Sequence, residues 1–278
     1  MFILAKIFNL INPFMQKHVD RSGQAADKIF DSRTLQNDYR TLVPLIKPGM
    51  KVLDVGCGTG AISKGIAEIV GETGLVIGID NTLDFIESGQ KSNSNVTNLD
   101  LIHVDLMNYE PSQKFDLVVS ARTLQWLCDP TSAIEKMKAF LKPNATLSIL
   151  DYNHEDIEWQ PAIPQSMQDF YSQWLKWRSD SGMNNRIAED LPSIFEKCEF
   201  SNIEVLESNE FYTKEHPFFS DKLAVWKKVA SSTQLVKEGY ISDELRLQAI
   251  NDYQNWIDHE ALSMKMILKE VRAKVNEA

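Results

Sequence analysis

The chain has 278 residues, with 29 Lys+Arg set against 39 Asp+Glu for a formal net charge of −10. Hydrophobic residues at 43% and charged residues at 24% are the balance of a folded globular chain with material for a sizeable core, which excludes a disordered one. An acidic chain repels a phosphate backbone unless it carries a basic stripe, and only scattered pairs such as Lys227-Lys228 occur, so nucleic acid is disfavoured as a partner.

The first stretch, Met1 to Met15, is apolar but interrupted by Lys6, Asn9, Asn12 and Pro13. It lacks the layout of a signal peptide and is too short and broken to span a bilayer. We expect a helix packed on the body, with a weak membrane-surface or dimer contact as the alternative; the chain is then a monomer or homodimer without stable membrane insertion. Leu35 to Ile46 reads as a helix closed by Lys47-Pro48-Gly49, so residues 1–47 form an N-terminal helical segment.

From Lys51 to about Asp151, short β-branched runs alternate with helical periods, the signature of a parallel sheet with crossover helices. The strands are expected at Lys51–Val55, Leu75–Ile79, Asp100–Val104, Phe115–Ser120 and Thr146–Leu150. Ile62, Ile66, Ile69 and Val70 make a helical stripe, and Asp129-Pro130 opens another helix with a capping carboxylate and a proline in the first turn. Pro161 to Phe195 reads mainly as helix, an insert at about 160–198. Ile203–Val205 and Glu210–Thr213 read as a hairpin that finishes the sheet, and everything from His216 onward reads as helix. The expected plan is an α/β domain at 48–215 and a helical addition at 216–278. Its sheet is Rossmann-like, mostly parallel and twisted, with helices on both faces, a final antiparallel hairpin, a helical lid and C-terminal helices. Cys57, Cys128 and Cys198 are widely spaced and form neither a disulfide framework nor a metal-ligand pattern, which points to the reducing cytoplasm and to no metal site.

Asp54-Val55-Gly56-Cys57-Gly58-Thr59-Gly60 puts three alternate glycines after a strand and before a helix. Glycine lets the backbone turn sharply and approach a ligand with no Cβ in the way, and the helix N-terminus behind it offers free N–H groups. Asp80 ends the second strand, where a carboxylate can accept ribose hydroxyls, and Asp105 ends the third, where it can take an adenine amino proton. Each aspartate alone also reads as a helix cap or loop solvator. As a set at successive strand ends they point to a nucleotide ligand.

Together with Phe115-Asp116-Leu117-Val118, these motifs resemble those of the class I S-adenosylmethionine (SAM)-dependent methyltransferases. Within that superfamily the likeness is to the ubiquinone/menaquinone-biosynthesis type and its relatives with small-molecule substrates. Leu124-Gln125-Trp126 also resembles the trans-aconitate and malonyl-carrier-protein carboxyl methyltransferases. The resemblance spans about Leu42 to Tyr152 and implies SAM as cofactor. It further implies that Gly56, Cys57, Gly58 and Gly60 line the methionyl moiety, with Asp54 orienting the loop and the ammonium group. Asp80 would hold the ribose, Asn81 would lie beside the adenine, and Asp105 with the Leu106 amide would read the adenine edge. Ser120 and Ala121 would flank the sulfonium. Arg33 is a candidate partner for the methionyl carboxylate, because a fork donor suits that group, or else a solvent-facing arginine.

Methyl transfer from a sulfonium asks the protein for alignment, water exclusion and, for some nucleophiles, proton removal. After the fifth strand stand His154, the best-placed base, and Tyr152, an orienting hydroxyl. After the fourth stand Arg122, Gln125 and Trp126, candidates for holding substrate; Arg122 reads equally as half of a salt bridge. Phe170, Tyr171, Trp174 and Trp177 recur at helical spacing, either as core or as an apolar substrate wall, with Trp174 and Trp177 facing the cofactor cleft in the second case. The chain lacks both the Asp/Asn-Pro-Pro-aromatic signature of base-amine methylation and a Pro-Cys nucleophile. A small-molecule acceptor, aromatic or acyl/carboxylate-bearing, is therefore expected. Two rivals stay open: a non-catalytic SAM-binding or interaction protein, and a nicotinamide-dependent oxidoreductase, whose GxGxxG spacing differs from the alternate glycines here.

Overall fold

The computed structural model describes residues 33–275. The expectation for Met1 to Met15 lies outside them. The first described helix, α1 (Leu35–Asp38), is closed on itself at its start: the Thr34 hydroxyl accepts from Asn37 N at 3.2 Å and Asp38 accepts from Thr34 N at 2.7 Å. The single helix expected over Leu35–Ile46 breaks at Tyr39 and continues as a 3₁₀ segment, Arg40–Leu45. Pro44 opposes a continuous α-helix, because its ring would clash with the carbonyl four residues back, that of Arg40.

The core is a sheet of eight strands whose first five run parallel: β1 (Lys51–Val55), β2 (Leu75–Asp80), β3 (Leu99–His103), β4 (Phe115–Ala121) and β5 (Leu141–Gln160). Alternate side chains serve opposite faces. Val52, Leu117 and Val119 join one core; Leu53, Val55 and Val118 join the other. The first core is covered by α1 and α2 (Ala61–Val70), the second by α4 (Pro130–Ala139) and α6 (Ile187–Lys197), while α3 (Leu83–Ser92) links β2 to β3. Asp129 caps α4 by accepting from Ser132 N at 3.0 Å, with Pro130 in the first turn, as its sequence demands.

The longer remaining helices are α5 (Gln165–Asp180), α7 (Phe219–Ser231) and α8 (Asp243–His259), whose apolar faces extend the first core through Phe170, Trp226 and Tyr253. The sheet then departs from expectation. β6 (Ser201–Glu207) and β7 (Glu210–Thr213) do not pair with each other as a hairpin; both pair antiparallel with β8 (Ser263–Lys274), a stretch that reads as helix in the sequence. The strand order is β3-β2-β1-β4-β5-β8-β6, so the segment after His216 is only partly helical and its last strand lies inside the sheet. Among the described residues no helix is long and apolar enough to cross a membrane. The order reverses between β1 and β4, and in open α/β sheets ligands bind at that switch point, beyond the carboxyl ends of the strands.

Candidate active site

The turn after β1 occupies this switch point. Gly56, Gly58 and Gly60 have φ of +74°, +57° and +78°, the left-handed region that side chains resist. Backbone bonds pin the turn to the neighbouring strand: Gly56 N and Cys57 N both donate to Ile79 O, at 2.8 and 3.1 Å. A Cβ at Gly56 would lie 2.1 Å from Thr123 Oγ1, and one at Gly60 would lie 2.8 Å from Leu101 Cδ1; one at Gly58 would meet nothing within 4 Å. The outer glycines are thus required by packing, whereas the middle one faces open space. That space is the cradle a bound cofactor needs.

Beneath the turn, Asp54 is 2% exposed and accepts from Ser63 Oγ at 2.6 Å. Burial pushes its carboxyl up to about 6, against the Ser63 hydrogen bond and with help from the charge of Asp80. Asp80 accepts from Gly58 N at 3.0 Å and from Thr82 N at 2.8 Å, one bond per oxygen, which leaves a lone pair on each. β2 and β3 are parallel neighbours with Asp80 opposite His103, so Asp80 and Asp105 lie at the same edge of the sheet. Asp105 caps a short 3₁₀ turn, Leu106–Asn108, through Met107 N at 2.8 Å, and is exposed beside the half-buried Leu106; Asn81 is exposed too. The exposed Leu83 and Met107 follow these acids in sequence and supply apolar surface at the same edge. Ser120 is buried, with its hydroxyl on Val55 O at 2.8 Å, and Ala121 ends β4 half-buried.

Next to the glycine turn stands a buried cationic group. Arg122, itself at φ +59°, donates to Tyr152 Oη at 2.9 Å, to Asp38 O at 2.8 Å and to Glu210 Oε1 at 2.5 Å. Burial opposes its charge, but Tyr152, Glu210 and Asp38 outweigh burial and raise its pKa. Arg33 joins the same neighbourhood: burial and then the charge of Arg122 lower its pKa, while Tyr152, Glu210 and Asp38 work the other way. Arg33 is half-buried, between the two alternatives its sequence offered.

A second group lies beyond it. His154, 4% exposed, bonds through Nε2 to Gln125 Oε1 at 2.5 Å, and its Nδ1 has no partner. Gln125 Nε2 donates to Arg122 O at 3.1 Å, which fixes the amide orientation and makes His154 Nε2 the protonated nitrogen. Burial, with Arg178 adding to it, holds the imidazole pKa well below its usual value. The ring stacks on Tyr152 at 5.0 Å and meets Trp174 edge-on at 5.1 Å; Tyr171, Trp226 and Trp159 complete an aromatic box. Asp151 closes the base of this group by accepting from Gln125 N and Tyr152 N, with burial pushing its carboxyl up to about 6.

The structure thus brings together most residues singled out in the sequence, but separates Trp177 from Trp174. Trp174 belongs to the box, whereas Trp177 turns to the C-terminal helices and donates to Glu238 Oε2 at 3.0 Å. Arg122 takes the salt-bridge alternative, through Glu210. Sequence reasoning missed Glu210, Trp226 and Arg178. Only Arg178 had a signal: it stands one turn after Trp174 on the same aromatic stripe.

A family model described as a methyltransferase domain matches residues 46–215. The chain belongs to this methyltransferase family. Demethylmenaquinone methyltransferase of Staphylococcus aureus is 29% identical over 178 residues, covering 58% of this chain and 71% of the relative. Among solved structures, phosphoethanolamine N-methyltransferase 2 of Haemonchus contortus, in complex with S-adenosyl-L-methionine, aligns at TM-score 0.55 and 17% identity. That alignment covers 87% of this chain but 53% of the other, so this methyltransferase spans about half of the longer protein. The YcgJ protein of Bacillus subtilis aligns at TM-score 0.55 and 14% identity, over 86% of this chain and all of its own. The two structural likenesses carry the fold. The family match and the S. aureus relative carry the activity, a SAM-dependent methyl transfer, and the open cradle at Gly58 fits that cofactor.

Proposed function

We propose that this methyltransferase transfers the methyl group of SAM to a small aromatic acceptor. When bound, SAM supplies a methyl already activated on a sulfonium for in-line displacement, so the chain's own task is to hold, align and dry the partners. Gly56, Cys57, Gly58 and Gly60 would flank the methionyl part, with Arg33 for its carboxylate. The free lone pairs of Asp80 suit ribose hydroxyls, and Asp105 with the Leu106 amide suits the adenine edge beside Asn81. Ser120 and Ala121 would border the sulfonium.

One observation carries the acceptor class: Tyr152, His154 and Trp159 of β5 gather with Tyr171, Trp174 and Trp226 into one aromatic box. Aromatic boxes also hold cationic amines. Here two guanidiniums, Arg122 and Arg178, stand at the box, and their charge disfavours such a guest. The S. aureus relative, named for demethylmenaquinone, supports a ring acceptor as well. His154 Nδ1 is the atom able to take a proton from an acceptor, and Tyr152 positions Arg122. A reducing cytoplasm suits the three free cysteines.

The test is incubation of the purified protein with methyl-labelled SAM and three acceptor sets: hydroxylated naphthalenes, aliphatic carboxylates and primary amines. Label is expected on the naphthalenes. Label on amines alone, or on no ring compound, would overturn the proposal.

A further inference from the structure

Arg178 is fully buried, yet among the described residues no carboxylate lies within 4.0 Å of it. Its guanidinium is held on neutral groups. Nε donates to Asn185 Oδ1 at 2.7 Å, and Nη2 donates to Gln125 O at 2.9 Å and to Gln125 Oε1 at 3.4 Å. It lies over two indoles, with the guanidinium carbon 4.4 Å from the Trp126 ring centre and 4.7 Å from that of Trp174. Nη1 has no partner at all. This differs from Arg122, which forms an ion pair with Glu210; the buried Asp151 acts on Arg178 through its charge but makes no ion pair with it. A buried cation normally has a counter-charge, since an unpaired one forfeits its hydration without return.

A second orphan stands alongside. His154 Nδ1 is unpartnered, His154 shares the Gln125 Oε1 acceptor with Arg178, and both border Trp174. Asn185 fastens the pair, holding His154 N through its backbone carbonyl at 2.7 Å and Arg178 through its side chain. We infer that Arg178 Nη1 is an anion subsite of the acceptor site, taking a carboxylate or phenolate oxygen of the ring-bearing acceptor as the direct ion-pair partner it lacks. Of the two indoles beside it, Trp126 is half-buried and Trp174 is buried. A planar fork can hold such an oxygen in its plane while it stays packed on the indoles, which an ammonium cannot do.

This rests on the ring-acceptor reading, and a matched pair of probes separates the two. Protein loaded with S-adenosylhomocysteine is titrated calorimetrically with 2-naphthoate and with its neutral isostere, 2-naphthamide. Wild type is expected to bind naphthoate at least tenfold more tightly. R178M should lose that preference by weakening naphthoate tenfold or more while leaving naphthamide and S-adenosylhomocysteine affinities unchanged, and R178K should retain part of it. A purely structural arginine would instead weaken both probes alike. Equal binding of the two probes by wild type overturns the anion subsite alone, as does an equal loss of both in the variants. Failure of both probes to bind overturns the ring-acceptor reading as well. If R178M does not fold, the wild-type preference and R178K decide.

Discussion

Three glycines in one turn look interchangeable, but the structure assigns them different work, and alanine at each position separates the two roles. Gly58→Ala places a side chain at φ +57° with no overlap within 4 Å, so it costs only left-handed backbone strain, about 1 kcal/mol or slightly more. For a domain of this size that lowers Tm by roughly 3 °C. Its new methyl fills the cradle instead, and overpacking of about 1–3 kcal/mol weakens SAM binding roughly 5- to 150-fold. Gly56→Ala does the reverse. Its Cβ falls 2.1, 2.5 and 2.8 Å from Oγ1, Cγ2 and Cβ of Thr123, so no rotation of that side chain relieves it. Strain and overlap together reach about 2–5 kcal/mol of stability. Thr123→Gly removes all three atoms and should return the Gly56→Ala protein to the strain level alone. Urea melts and calorimetric titration with S-adenosylhomocysteine measure both quantities. A Gly58→Ala protein that binds like wild type, or a Gly56→Ala protein as stable as Gly58→Ala, would refute the assignment.

Asp54 has a folded pKa of about 6, above its ordinary 3.8, so the stability it contributes is complete below pH 3.8 and lost as pH rises through 6. The loss is on the order of 2–3 kcal/mol, and D54N, which keeps an acceptor for Ser63, should be more stable than wild type near pH 7 but not near pH 4 in urea titrations. Glu210→Ala strands the buried Arg122 and should cost about 3 kcal/mol in urea denaturation, with Glu210→Gln milder; a cost below about 1 kcal/mol would contradict the pairing. His154 should show Nε2–H and a bare Nδ1 in ¹⁵N spectra, with no titration between pH 5 and 8. A midpoint near the usual histidine value would refute this.

The arrangement of the residues proposed to hold the cofactor was legible in the sequence because each part of it is a local signal. A glycine turn after a β-branched run, and an aspartate at each of the next two strand ends, need no tertiary knowledge to be placed. The acceptor side was half legible. Gln125 follows β4, and Tyr152 and His154, expected just past the fifth strand, lie within a β5 that runs on to Gln160; the partners that fix their chemistry come from distant segments: Glu210 on β7, Trp226 on α7 and Arg178 on α5. β8 was misread for a different reason. Met, Leu, Lys, Glu, Arg and Ala favour helix, and only Met264, Met266 and Leu268 keep the alternation of a strand before Glu270 and Val271, buried in succession, break it. Pairing with β5 on one side and β6 and β7 on the other overrides that local preference.

The place of β8 bears on how the molecule comes to exist. β6 and β7 leave the ribosome with no partner, and β5, which carries Tyr152 and His154, has a bare flank until Ser263–Lys274 is made about 50 residues after β7. Until then a nascent chain holds a finished glycine turn beside an open row of backbone donors and acceptors, the kind of template on which neighbouring chains aggregate. A translation stop anywhere in α7 or α8 would therefore yield a sticky fragment rather than a smaller enzyme.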